Sequence, residues 1–416
     1  MLGEPQQDQP HPQPSPRAIP PVPSGFRTAV LPWYRDVQVI PPGGHERFRV
    51  LSGGELGLNI QCPADTIADY VGLLCREAEL IHTLLPHPLP VTSLWLRGNP
   101  SRQFSPDAVT ELVFRLNARF PLAALNAIRG VDLPATALNA ERLALLAGLG
   151  FNRIGLRVDA TLGSDQRSLA KFHAILEQLT DFPALGVHYE IRFGSRSHPC
   201  YLSRVLRAIR HTRAFAVELV DPGQHAPGVL NERREAGELL ELAIREMTAA
   251  GWPSFGNALF VPPESPLATT AFRAIAQLAP WGPQPTANRL WLGLGIGAFG
   301  YCHPCYYRTT PSEAAYRQAL VGRQLPEKTL FCLPGDNTGP LHVTQSLLCR
   351  LELPRAAAPA LAGQLLADRL LAPADGSWRL TPDGIVRLAA IVRHLQAQTL
   401  WGEDHAASHT DDHHGV

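Results

Sequence analysis

The sequence predicts an α/β fold made of strand–helix units, followed by a small helical module. Three observations carry this: apolar, β-rich runs recur between residues 56 and 220, amphipathic helical patterns lie between them, and the pattern changes after about residue 330. Strand–helix units of about thirty residues imply βαβ crossovers and a parallel sheet. Such units suit a partial (β/α) barrel as well as a doubly wound sheet, and in both the chemistry gathers at the carboxyl ends of the strands. The 416 residues suffice for one large domain and a smaller one.

The chain opens on MLGEPQQDQPHPQPSPRAIPPVPSG, Pro- and Gln-rich with no apolar core. Residues 1–50 are expected to be a mostly disordered leader, neither signal peptide nor membrane anchor. LGLNI (56–60) is the first strand, and it delivers Cys62 into a Pro-led turn; the helix that follows contains Cys75. VTSLWL (91–96) and AALNAI (123–128) are the next two strands. NAERLALLAGLG (139–150) opens on an Asn cap, places Leu143, Leu146 and Leu149 on one face, and stops at Gly148 and Gly150. It feeds the strand RIGLRV (153–158). DQRSLAKFHAILEQL (165–179) repeats the helical pattern with Leu169, Phe172, Leu176 and Leu179, and VHYEIRF (187–193) and FAVELV (215–220) complete the strands.

The α/β part is expected over residues 51–330 and the helical module over 331–400. In that module three helical stretches surround APADGSWRLT (372–381), a hairpin with Asp-Gly as its turn, which suggests a winged-helix-like unit. A DNA reader needs a basic second helix, yet 356–370 carries only Arg369, so packing is the better use for it. Residues 401–416 form an acidic, His-rich tail, expected to be disordered, with adventitious metal binding its strongest role.

Lys+Arg and Asp+Glu balance at 37 each, which removes the basic field that nucleic-acid binding uses. No membrane span is expected. Seven scattered cysteines do not make a secreted disulfide framework, so a cytoplasmic location is expected. GIGAFG (295–300) fits a dinucleotide-binding pattern, but YCHPCYY follows where a helix should start, so that reading fails. Cys302, His303 and Cys305 are half a zinc site; the alternative is structural cysteines in a loop. Tyr301, Tyr306 and Tyr307 could line an aromatic wall for a flat ligand or seal the barrel base, and the seal is the preferred reading.

Two longer stretches resemble a known family. GLGFNRIGLRVDA (148–160) resembles the strand-entry signature of the oxygen-independent coproporphyrinogen oxidase and heme-chaperone family of radical S-adenosylmethionine proteins. LWLGLGIGAFGY (290–301), followed by YRQALVGRQLP (316–326), resembles its Gly-rich strand and following helix. The resemblance spans about residues 50–395 and implies a partial (β/α) barrel of radical SAM type with a winged-helix-like C-terminal module.

The family's CxxxCxxC motif, whose three thiolates hold a 4Fe–4S cluster, falls on Cys62, Thr66 and Asp69. Only the first is a thiol, so the cluster is not expected; Cys62 is a remnant position or a small buried side chain. The family's Gly-rich turn falls on LRGNP (96–100), where Gly98 and Pro100 remain. Its cofactor-binding positions fall on Asp132, Asp159, Lys171 (two before His173) and Glu190. If these converge on one rim, three carboxylates surround one lysine, and a cationic ligand is expected. The bland alternative is solvated strand-end polar residues. The resemblance implies a non-radical pseudoenzyme or accessory protein that binds a tetrapyrrole such as heme, a nucleoside ligand such as S-adenosylmethionine, or a partner enzyme. The rival readings are an active radical SAM oxidoreductase of the coproporphyrinogen dehydrogenase type and a regulatory protein-interaction module using the tail.

Overall fold

The computed structural model describes residues 36–41, 56–85, 89–121, 127–193, 197–220, 232–255, 259–265, 268–269, 276–279, 282–285, 290–302, 305–332, 338–355, 359–388, 390–392 and 394–395. Most of the leader and the His-rich tail lie outside these residues.

Seven parallel strands form the centre of a thirteen-stranded mixed sheet. In chain order the strands of that sheet are β1 (Asp36–Ile40), β2 (Leu56–Cys62), β3 (Val91–Gly98), β4 (Ile128–Pro134), β5 (Arg153–Asp159), β6 (Gly186–Arg192), β7 (Ala214–Val220), β8 (Ser254–Phe255), β9 (Leu259–Phe260), then, after a separate two-stranded ribbon β10 (Ala276–Ala279) and β11 (Gly282–Pro285), β12 (Leu290–Leu294), β13 (Phe299–Cys302), β14 (Cys305–Thr309) and β15 (Lys328–Cys332). Their spatial order is β1-β15-β14-β13-β12-β2-β3-β4-β5-β6-β7-β9-β8, with the run from β12 to β7 parallel throughout. The sheet stays open between its edges β1 and β8, as in a partial barrel.

Helices close each crossover where the sequence supplies caps. Asn139 accepts from the Arg142 amide at 2.8 Å and starts the helix Ala140–Gly148; Asp165 accepts from Ser168 at 2.9 Å and starts Gln166–Thr180. Gly150, at φ 78°, turns the first of these toward β5.

Two elements differ from the sequence expectation. Most of the stretch expected as the third strand, 123–126, lies outside the described residues; the strand described is Ile128–Pro134, where Val131 and Leu133 alternate with Gly130 and Asp132 and so give an apolar face toward the helices. The end of the leader is a strand: β1 pairs antiparallel with β15 over five residues.

Alternation gives the parallel sheet two distinct faces. Leu58 and Ile60 of β2, Leu94 and Leu96 of β3, Ile154 and Leu156 of β5 pack beneath the helices in the main core. The opposite, inner face carries Trp95, Arg97, Asp132, Arg157, His188, Glu190 and Glu218 in register across β3 to β7. Bulk on this face is shared between neighbours: Trp95 lies over Gly130, where a Cβ would meet the ring at 2.2 Å, and Trp291 lies over Gly57 at 2.5 Å. Any side chain at Gly130 would displace the indole, since no rotamer avoids contacts that short.

A buried polar network ties this sheet to the loop after β12. Glu77, in the helix Tyr70–Leu84, is fully buried, and so is Lys328 of β15. The Lys328 ammonium lies 3.4 Å from one Glu77 oxygen and donates to Thr309 Oγ1 at 3.0 Å. The other Glu77 oxygen accepts from Tyr316 Oη and from the Gly295 amide, both at 2.7 Å. Tyr70 Oη accepts from the Ile296 amide at 3.0 Å and donates to the Gln61 carbonyl at 2.7 Å. The first two amides of the GIGAFG loop are thereby consumed internally, which removes the donors that a phosphate cradle would use.

The C-terminal elements are a helix Thr338–Gln345 continuing into a π-helical turn Ser346–Arg350, then β16 (Glu352–Pro354), a helix Pro359–Ala367, β17 (Leu371–Ala374), β18 (Ser377–Leu380) and a helix from Pro382. β17 and β18 form the expected hairpin, turning at Asp375-Gly376 with Gly376 at φ 70°, and β16 adds a third strand. Leu351, at φ 59°, caps the π-helical turn and breaks the helical path expected to run to 353, so Glu352–Pro354 is strand. Leu347, Leu348, Leu353 and Leu388 share a second core with Phe299 and Phe331 of the large sheet.

Candidate functional site

The inner face between β3 and β7 gathers charged side chains of both signs. Asp132 Oδ1 accepts from Trp95 Nε1 at 2.8 Å and from Arg97 Nη1 at 3.3 Å. The Arg97 guanidinium lies over the Trp95 ring, 4.2 Å from its centroid, so indole and carboxylate hold the cation together. Two strands further, Arg192 Nε donates to Glu190 Oε1 at 2.8 Å, and His188 Nε2 stands 3.6 Å from Glu218 Oε2. Nε of Arg97, Arg153 and Arg157 and Nε2 of His188 are buried with no hydrogen-bond partner. Donors in that condition mark a place where a polar ligand or water belongs.

Burial holds His188 down at about 4, with the Arg97 charge adding to the effect and Asp132 opposing it. Burial likewise raises the Glu218 carboxyl to about 7, helped by Glu190 and opposed by Arg97. At neutral pH the imidazole is therefore uncharged while Glu218 is close to half protonated. A carboxyl that titrates near neutrality can give or take a proton, the property that sites of acid–base chemistry share.

The positions inferred from the sequence divide. Asp132 and Glu190 lie on this inner face, and both act on the Glu218 charge. Asp159 ends β5 but is exposed, accepting from the Thr161 amide at 2.8 Å and its hydroxyl at 2.5 Å, where it caps a turn. Lys171 is exposed on the helix Gln166–Thr180, away from the inner face. Gly98 serves the packing of neighbouring strands, since at φ +84° its Cα sits so near β2 that a Cβ would meet the Cys62 carbonyl oxygen at 2.1 Å. Of the expected four, Asp132 and Glu190 lie on the inner face, Asp159 ends β5 in the same phase as Arg157 and opposite Arg192, and Lys171 is exposed on its helix; the cations of that face include Arg97, Arg157 and Arg192.

Cys62 stands on the helix side of β2, in the same apolar row as Leu58 and Ile60, and is 1% exposed. Burial pushes its thiol well above the ordinary range, and the Asp132 charge adds to this. Thr66 is exposed and directs its hydroxyl to the Arg102 carbonyl at 3.5 Å; Asp69 is exposed at φ 53° just before the helix. A three-thiolate cluster does not fit this set, which offers one thiol, protonated and turned into the core. Cys75 is buried within its helix. Among the described residues no group of three or more His, Cys, Asp or Glu is placed to hold a metal ion.

Cys305 is not available as a zinc ligand either. It forms a disulfide with Cys332, its direct partner across β14 and β15, with Cα atoms 4.2 Å apart. The pairing spans 27 residues and depends on strand register, which the spacing of cysteines alone does not reveal. His303 and the side chain of Cys302 lie outside the described residues.

Of the free cysteines described, Cys200 is exposed and Cys62, Cys75 and Cys349 are buried. Iodoacetamide on the folded protein is expected to label Cys200 first and the other three only after denaturation, read by peptide mass spectrometry. Labelling of Cys62 as fast as Cys200 would place it outside the core.

Arg97, Arg157, His188 and Glu218 are the site residues that the sequence reading missed. Part of the signal was there: in RIGLRVD and VHYEIRF charged or imidazole side chains recur at alternate positions between apolar ones, FAVELV sets Glu218 among apolar residues, and Arg97 directly follows VTSLWL.

No protein-family model matches the chain, and no curated protein matches it. Among solved structures the fold is that of a radical SAM coproporphyrinogen oxidase. The structure of Escherichia coli coproporphyrinogen III oxidase (HemN), described as a radical SAM enzyme, superposes with a TM-score of 0.69 at 16% identity, covering 82% of this chain and 90% of that one. The spore cortex-lytic enzyme SleL of Bacillus megaterium QM B1551 also matches, at 10% identity over 67% of this chain and 64% of that one, but its TM-score of 0.26 is too low to bear on the fold. Among the described residues no helix is long and apolar enough to cross a membrane.

Proposed function

We propose that this chain is a degenerate coproporphyrinogen oxidase-like protein working without radical chemistry, as a pseudoenzyme or accessory protein whose inner face holds a small polar ligand. The observation that carries this reading is the setting of Cys62, a buried thiol on the helix side of β2. The inner face itself keeps charged groups of both signs, with unpartnered nitrogens on Arg97, Arg157 and His188. It suits a ligand that carries both an anionic and a cationic group, as the amino-acid end of S-adenosylmethionine does, better than the purely cationic ligand expected from the sequence. Heme propionates would engage only the arginines. A cytoplasmic location goes with this reading, although a disulfide such as Cys305–Cys332 is uncommon there.

Anaerobic reconstitution with iron and sulfide tests the reading. The expected result is protein with no stable cluster; about four irons and four sulfides per chain, lost on Cys62→Ala, would overturn it.

A further inference from the structure

A cavity of about 330 Å³ lies on the other side of the sheet from the charged inner face. Leu96 of β3, with Val131 and Leu133 of β4, makes its floor, and Val109, Leu145 and Leu146 of the two covering helices make its walls. Those helices are Pro106–Arg119 and Ala140–Gly148. It is separate from the charged site, because Leu96 and Arg97 are consecutive on β3 and point to opposite faces, as do Asp132 and Leu133 on β4.

We propose that this cavity is a second binding site, for an uncharged, mostly apolar alcohol or phenol. The floor and walls give a water few of the two to four polar partners that hold one in place. An apolar cavity of about 150 Å³ takes one benzene, so this one takes a body of roughly two fused rings. The polar groups are confined to the mouth, where Ser101, Asn139, Glu141 and Arg142 stand. Asn139 Oδ1 is engaged by the Arg142 amide, and Arg142 Nη1 donates to the Ala137 carbonyl. Ser101 Oγ donates to Asn99 Oδ1 at 3.1 Å, which leaves its lone pairs to accept. Glu141 and Arg142 offset each other in charge, so an ionic head gains little there. A hydroxyl can donate to Ser101 or Glu141 and accept from Arg142 at once.

The test is titration of the full chain with 2-naphthol by calorimetry and by the ligand's fluorescence, beside 2-naphthoate and naphthalene. One 2-naphthol per chain is expected, with 2-naphthoate at least tenfold weaker. Leu145→Trp, which fills the cavity from the half-buried wall, should weaken binding at least tenfold; Val109→Phe does the same from the other helix should the first variant not fold. Leu145→Ala should bind within about threefold of the wild type, since it only enlarges the space. Absence of saturable binding to the folded protein, binding unmoved by either filling variant, or tighter binding of 2-naphthoate would overturn the proposal. Loss of 2-naphthol binding in Asp132→Asn would assign it to the inner face instead, and would also refute it.

Discussion

Replacing Glu77 with leucine is expected to lower the stability of the folded chain by about 3–5 kcal/mol, the range seen when one partner of a buried ion pair is removed. The size follows from what is left behind. Lys328 keeps a buried ammonium with only the Thr309 hydroxyl and the Tyr307 ring face left beside it among the described residues, and no counter-charge, while Tyr316 Oη and the Gly295 amide lose their acceptor. Burial already lowers the Lys328 pKa and raises that of Tyr316, so neither group tolerates further loss of solvation. Urea midpoints of the wild type, Glu77→Leu, Lys328→Met and the double variant measure it. The double variant should recover part of the loss, because an apolar pair leaves no uncompensated charge. A midpoint for Glu77→Leu equal to that of the wild type would show that the network contributes nothing to stability.

Glu218→Gln is expected to stabilise the protein by roughly 2–3 kcal/mol at pH 8, with the gain shrinking to under about 1 kcal/mol at pH 5. The folded pKa of about 7 lies above the ordinary 4.5, so between these values the unfolded chain has lost a proton that the folded chain retains. Stability from this group therefore falls as pH rises from about 4.5 to 7 and is level above. His188 acts in the opposite sense: its folded value near 4 lies below 6.5, so its contribution rises with pH across about 4 to 6.5. In the wild type the two slopes offset over the shared interval. Denaturation midpoints against pH should consequently be flatter for the wild type than for Glu218→Gln, which exposes the rising histidine slope. Identical pH profiles for the two proteins would show that the carboxyl is not held in this environment.

The strands and caps were legible in the sequence because their signals are local. Asn139 and Asp165 announce their helices, and Gly150 ends one, through bonds that span only a few residues. The fold as a whole was legible through the βαβ rhythm and the resemblance it accompanied. The candidate site was read only in part. Asp132 and Glu190 were placed by correspondence with a family pattern, and the strands do bring them to one face. Pattern matching does not foresee the local surroundings of Asp159 and Lys171: a capping bond to Thr161 engages the first at the end of β5, and the second is exposed on its helix. The pairings Glu77–Lys328 and Cys305–Cys332 were invisible because each joins positions far apart in the chain.

The two indoles that cover glycines on the next strand have a consequence for tracing ancestry. At the 16% identity to the coproporphyrinogen oxidase structure, aligning two such chains by residue type alone leaves strand offsets ambiguous. Trp95 with Gly130 and Trp291 with Gly57 supply fixed points, because each pair shares one volume across adjacent strands. A homologue that shrinks the tryptophan is free to enlarge the glycine, whereas one that enlarges the glycine first must pass through a clash. Substitutions at these paired sites should therefore accumulate in a preferred order along a lineage, and an alignment that separates the members of a pair is shifted by at least one residue.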